Sequence, residues 1–372
     1  CARWRDAMNK PALLLSALIA FPLATPSAFA QSAAAPQAEA VMGKPDCAAP
    51  DLVNSVPMER VNGGNVMSVT ASIDGAPQRM LIDIGRMATQ LFETSANKLH
   101  LGHQGSQHFD FAGRFSQRSA RIESFELGSM EGGGFHLLVT PDPDTASAPF
   151  DGIIGNDVMI RYDVDLDFAH QKLNFFTPEK CKGAGIYWSP STITSVPVVA
   201  YSGLEYADRS PIPRLGVTYV PVVLDGKTII ALLDTRADKT FLNPDVAQKL
   251  FGISPGGMEP TDVDDGGTLI KAGTHVFKSL SFGGLTAGNV HVAIPLDVMS
   301  QSTKIFHISK VLQDTFPIHE IMPDMVIGMD LLKHSHLYVS FQNDRVYVSA
   351  AGDGPALAAA APAKTTWLNV YR

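Results

Sequence analysis

No glycine-rich phosphate loop and no HExxH pair occurs in the 372 residues. Their absence removes the usual signatures of nucleotide-binding proteins and zinc peptidases. Cysteine is scarce, at three residues, and neither Cys47 nor Cys181 stands in a catalytic histidine context; a thiol nucleophile is not expected. Runs of Lys and Arg are missing and the formal net charge is −8, so nucleic acid is not expected as a partner. Histidines gather at His100, His103 and His108 and again at His334 and His336, without a Cys/His ligand set. They read as solvated loop residues, and no metal is expected. The acidic run TDVDDGG lacks the spacing of a calcium loop and reads as a mobile loop. What remains is an ordinary globular composition, 45% hydrophobic and 18% charged, long enough for two domains or one bilobal unit.

Long apolar runs are absent except near the N-terminus. There Arg3, Arg5 and Lys10 precede PALLLSALIAFPLA, and Ala28-Phe29-Ala30 has the small-residue form of a cleavage site. Residues 1–30 thus read as a signal peptide, with Met8 the more natural start. No stable membrane span is expected after its removal, and the chain is expected to be exported, to the periplasm or beyond. Loss of Arg3, Arg5, Lys10 and Asp6 moves the charge to −8 − 2 = −10. Export permits disulfides, and Cys47 and Cys181 bracket the first half of the chain. A bridge between them, stapling that half at both ends, is expected over two free thiols. Residues 31–50 are rich in Ala, Pro and Gln and read as a disordered linker, and residues 351–372 as an Ala/Pro-rich tail.

The interior is organised as a repeat. In VMSVTASIDGAPQRMLIDIG an alternating strand, an Asp74-Gly75 hairpin turn and a second apolar strand lead to Asp83. LGVTYVPVVLDGKTIIALLDTR repeats this with Asp225-Gly226 and Asp234, at identical spacing: 83 − 74 = 9 and 234 − 225 = 9. FELGSMEGGGFHLLV matches LSFGGLTAGNVHVAI, and GIIGNDVMIRYDVDLDFAHQKLNFF matches MVIGMDLLKHSHLYVSFQNDRVYVS without a gap. The second copy is longer between its aspartate and its Ile-Gly, 94 residues against 72 (328 − 234 and 155 − 83), and STKIFHISKVLQD is expected to form an inserted helix there. Short helices are expected after each Ile-Gly. The lobes are residues 51–178 and 213–350, joined by a connector at 179–212 rich in Pro, Ser, Gly and Tyr.

An aspartate at a strand end usually does no more than cap a turn. Here each copy presents one after an apolar strand, and two copies meeting about a pseudo-two-fold axis would set the carboxylates side by side. Such a pair shares one proton. It can take a proton from a water and give one to a carbonyl oxygen. Metal, cofactor and covalent intermediate are unnecessary.

With these residues the chain resembles the retropepsin-like aspartic peptidases, in a form that fuses two units, over about residues 60–177 and 213–349. The resemblance rests on LIDIGRMATQL, with Asp83, Gly85 and Thr89, and on LLDTRADKTFL, with Asp234, Thr235, Ala237 and Thr240. Downstream stand Ile153-Ile154-Gly155 and Val326-Ile327-Gly328. It implies a mostly β, bilobal acid-protease-like fold of two pseudo-symmetric retropepsin-type lobes. It implies Asp83 and Asp234 as catalytic residues, with Gly85, Thr89, Thr235, Arg236 and Thr240 in the supporting loops. Gly155 and Gly328 are expected where a strand passes close behind each loop. It further implies a peptide or protein substrate, bound extended in a cleft beneath hairpins near Phe111–Arg114 and Asp264–Gly267, and a monomer, since one chain carries both halves.

The pattern is broken in places. Ile84 replaces the threonine that ties the lobes, so only Thr235 remains for that bond; Arg236 replaces a glycine, and Met87 and Asp238 replace hydroxyl residues. A Cβ at position 236 is expected to crowd the turn. A guanidinium there is expected to favour full ionisation of the pair. Two functions fit these residues: an aspartic endopeptidase, or a catalytically impaired relative that binds peptides or partner proteins.

Overall fold

In the computed structural model, the residues described are 39–40, 50–86, 88–105, 118–143, 150–178, 194–198, 217–265, 268–296, 323–352 and 365–366. All fall within the unit Ala35–Arg372. The signal segment, both Cys47 and Cys181, Met87, the Phe111–Arg114 turn and the STKIFHISKVLQD insertion lie outside the described residues.

Each lobe begins with the anticipated hairpin. Met67–Ile73 pairs antiparallel with Ala76–Ile82, and Ile73 faces Ala76. In the second lobe Tyr219–Leu224 pairs with Lys227–Leu233, and Leu224 faces Lys227. Both turns need left-handed backbone at their two central residues, with φ of 50° and 80° at Asp74 and Gly75 and of 43° and 77° at Asp225 and Gly226. Aspartate and glycine tolerate that conformation, and the resulting turn matches strand twist. The Asp74 carboxylate accepts the backbone N–H groups of Glu123 and Ser124, and Asp225 accepts that of Ser279, which pins each turn to the next strand of its sheet.

The second strand of each hairpin becomes fully buried toward its end, at Met80-Leu81-Ile82 and Ala231-Leu232-Leu233. Burial on both faces follows from insertion of a short strand beside it. Gly152–Ile154 runs parallel to Ala76–Ile82 and antiparallel to Gln90–Phe92. Met325–Ile327 does the same between Lys227–Leu233 and Phe241–Leu242. Short helices follow, Asn156–Met159 and Met329–Leu332. The second lobe adds a hairpin, Thr261–Asp265 against Thr268–Phe282, with Asp265 facing Thr268.

A third, seven-stranded sheet joins the lobes. The gapless repeat offset is 328 − 155 = 173, which aligns Asp165 with Tyr338, and these two residues face each other where Asp163–Asp167 pairs antiparallel with Ser335–Ser340. The pseudo-two-fold axis therefore passes between them. One face of this sheet is apolar, with Val164, Leu166, Leu337 and Val339 buried. The other is polar yet also buried: His336 Nε2 meets Asp165 Oδ1 at 2.7 Å, and Asn174 donates to Asp165 Oδ2 at 2.7 Å. Tyr338 donates to Asp163 at 3.1 Å. His336 is thus a core residue bonded across the lobe boundary; the solvated reading of that histidine is corrected, because its strand alternates into a polar face that is covered.

Three segments read as irregular contribute strands. Glu39–Ala40 pairs with Thr194–Ser195, Thr194–Pro197 of the connector pairs with Arg345–Ala350, and Thr365–Thr366 pairs with Met130–Glu131. Backbone pairing needs no sequence pattern, so composition could not reveal them. Among the described residues no helix is long and apolar enough to cross a membrane.

Candidate active site

Asp83 and Asp234 follow the buried strands directly, and both are fully buried, at 0% exposure. Their backbone N–H groups donate to Ile154 O at 3.0 Å and Ile327 O at 3.1 Å, so each inserted strand anchors one aspartate. The inner carboxylate oxygens receive the turns. Gly85 N–H donates to Asp83 Oδ1 at 2.8 Å; Arg236 and Ala237 N–H donate to Asp234 Oδ1 at 2.8 and 2.9 Å. The Cβ at position 236 therefore does not stop the amides from reaching the carboxylate, and Arg236 keeps a negative φ.

The two loops meet. A Cβ added at Gly85 would lie 2.8 Å from Leu233 O and 3.4 Å from Asp234 Cα, an approach that only glycine permits. Thr235 crosses the boundary as the lone threonine of the pair: its hydroxyl donates to Ile82 O at 2.6 Å and accepts from Ile84 N–H at 3.2 Å. Ile84 supplies no hydroxyl in return. Instead its carbonyl accepts from Thr218 Oγ1 at 3.2 Å and Asn156 Nδ2 at 2.8 Å. Neither residue stands in the Asp-Thr-Gly pattern, so that pattern could not single them out.

Behind the loops the repeat is nearly symmetric. Thr89 donates to Asp157 at 2.6 Å and accepts from Gly155 N–H at 3.1 Å. Thr240 does likewise with Asp330 at 2.6 Å and Gly328 N–H at 3.1 Å. Burial raises both Asp157 and Asp330 above the usual carboxylate range, opposed by these threonines. Sequence reading passed over the two aspartates, although their matched places two residues after Gly155 and Gly328 were a usable signal. At the glycines a Cβ would lie 2.7 Å from Ala88 C and 2.2 Å from Lys239 O, so backbone passes against backbone there. Asp238 turns away, accepting from Asn65 N–H at 3.3 Å and pairing with Lys239 at 3.3 Å.

Two guanidiniums complete the cluster. Arg86 and Arg236 are 4% and 5% exposed. Arg86 Nε lies 3.4 Å from Asp83 Oδ2, while Arg236 reaches both outer oxygens, Asp83 Oδ2 at 3.8 Å and Asp234 Oδ2 at 3.7 Å. Even so, the Asp83 carboxyl is pushed up from 3.8 to about 7, by burial first and the Asp234 charge second. Arg86, Arg236 and the Gly85 N–H pull it down and lose. The expected effect of the arginine has the right sign but not the deciding size, since the pair is cut off from water. Among the described residues no group of three or more His, Cys, Asp or Glu side chains is set to hold a metal.

A two-lobed β fold whose lobes each bring an aspartate loop to their junction is the architecture of the pepsin-like and retropepsin-like proteins. The chain belongs to the aspartyl protease family, whose sequence model matches residues 69–158 and 220–331, more than half of its length. Among solved structures it is similar to an aspartic proteinase from Irpex lacteus, at 14% identity and a TM-score of 0.43 over 80% of this chain and 97% of that one. It is also similar to a retropepsin-like aspartic protease from Rickettsia conorii, at 16% identity and a TM-score of 0.25 over 33% and 89%. A search of curated proteins found no match.

Proposed function

We propose that the protein is an aspartic endopeptidase in which Asp83 and Asp234 activate a water between them. The observation that carries this reading is the meeting of two fully buried aspartates, one from each lobe, with Asp83 titrating at about 7. One proton is then retained over the acidic range. The ionised partner takes a proton from the water, and the protonated one gives its proton to the peptide carbonyl oxygen. Backbone amides on the inner oxygens and the Thr235 bond to the opposite loop hold the geometry. An extended peptide would lie across the lobe junction beneath the Thr261–Asp265/Thr268–Phe282 hairpin. The N-terminal segment supports an exported setting, and a chain with both halves needs no second copy.

A second reading, a peptide-binding relative without turnover, is favoured by one observation: Arg236 spans both outer oxygens. The test is incubation with an unstructured peptide pool between pH 3 and pH 8, alongside Asp83→Asn and Asp234→Asn. Cleavage lost in both variants supports the dyad. Cleavage that survives both overturns it, and retained peptide binding without any cleavage selects the second reading.

A further inference from the structure

Both loops carry an arginine, but at exchanged positions. The residues two and three after the aspartate are Gly85 and Arg86 in the first lobe, and Arg236 and Ala237 in the second. The consequences differ. Arg86 contacts its own lobe's aspartate, with Nε 3.4 Å from Asp83 Oδ2. Arg236 turns across the junction, placing Nε 3.8 Å from Asp83 Oδ2 and Nη2 3.7 Å from Asp234 Oδ2. Its guanidinium therefore lies against the outer oxygens of both carboxylates at once, where a water shared by the two must stand to be activated. It is held there with only 5% exposure.

The orientation of Asp234 runs through main chain rather than through this side chain. Asp234 is oriented through Oδ1 by the main-chain N–H groups of Arg236 and Ala237, bonds that any residue at 236 can make. The cross-lobe tie runs through Thr235, and the strand behind the loop is anchored through Thr240 and Asp330.

We infer that Arg236 is a built-in gate of the active site: its guanidinium occupies the water position between Asp83 and Asp234, and turnover requires it to swing out. The inference rests on the dyad reading above and adds that wild-type activity is held down from within. No bond is made or broken by the gate; the guanidinium exchanges carboxylate contacts for solvent or substrate contacts, and water takes its place. A second effect follows from its charge. Arg236 lowers the Asp83 titration, so removing it extends the proton-sharing form to higher pH.

The experiment compares wild type with Arg236→Gly, which copies Gly85 of the other lobe, and with Arg236→Gln, which keeps bulk and hydrogen-bonding capacity without charge. Thermal unfolding establishes that each variant is folded; should the glycine loosen the loop, the glutamine variant decides. Cleavage of an unstructured peptide pool is followed by mass spectrometry from pH 3 to pH 8. The expected result is a tenfold or larger gain in turnover for the folded variants, with the alkaline limb of the pH profile moved upward and the gain erased by adding Asp83→Asn. If wild type cleaves through Asp83 and the folded variants gain nothing or lose activity, the gate is overturned while the dyad stands. If wild type and folded variants alike cleave nothing at any pH, gate and dyad fall together.

Discussion

Asp83→Asn is expected to strengthen the protein at pH 8. Folding moves the Asp83 titration from 3.8 to about 7. Between those values the folded chain holds a proton that the unfolded chain has released, so stability falls as pH rises. The contribution is fully present below about pH 4 and is lost as pH climbs through about 7. The rise from 3.8 to about 7, at ~1.4 kcal/mol for each tenfold change in proton affinity, amounts to about 4 kcal/mol. Because Asp234 shares the titration, that figure is a ceiling. Asparagine imitates the neutral carboxyl, and its Oδ1 can still accept the Gly85 N–H now held at 2.8 Å. Urea unfolding at pH 4 should give similar stabilities for wild type and variant. By pH 8 the variant should lead by about 2–4 kcal/mol, or roughly 3–5 °C in thermal midpoint for a chain of this size. Asp157 and Asp330, also raised by burial, slope both curves equally, so the difference between curves is the quantity to read. Parallel curves, or a variant weaker at pH 8, would refute the reasoning. Either would mean that ion pairing with Arg86 and Arg236 outweighs the burial of Asp83.

Three further outcomes are expected. Thr235→Val leaves Ile82 O and Ile84 N–H without the hydroxyl at 2.6 and 3.2 Å. It should cost about 1–3 kcal/mol for each group left unmade, read from the urea midpoint, with a proportionally larger fall in peptide cleavage. Gly328→Ala puts a Cβ 2.2 Å from Lys239 O, and overpacking of that kind costs about 1–3 kcal/mol or more. Its thermal midpoint should drop well below that of the control Gly256→Ala, where no atom lies within 4 Å. Lastly, Arg236→Gly should raise cleavage and carry it to higher pH, as measured by the peptide-pool assay; unchanged cleavage in a folded variant counts against the gate.

How far the sequence could be read follows from the repeat. The equal spacing of Asp74 to Asp83 and Asp225 to Asp234 located both hairpins and both aspartates, because a two-residue turn sets strand register and hence where each strand ends. Gly155 and Gly328 were legible as points of close backbone approach, and the bare Cβ distances there give the reason. Pairing between distant segments was not legible. Thr194–Pro197 and Thr365–Thr366 join sheets through backbone bonds, which leave little trace in side-chain pattern.

The sequence by itself determined a duplicated β unit with one aspartate at the end of each second strand, since alternation, turn residues and apolar runs are local properties. Only the tertiary structure decided what surrounds those aspartates. The Ile84 carbonyl is held by Thr218 of the other lobe and Asn156 of its own, and His336 is drawn into a buried cross-lobe bond with Asp165. Arg236 turns inward onto both carboxylates rather than out to solvent. Each of these depends on which surfaces of the two lobes face each other. That is a property of chain segments far apart in sequence, and no local pattern encodes the direction in which a long side chain points.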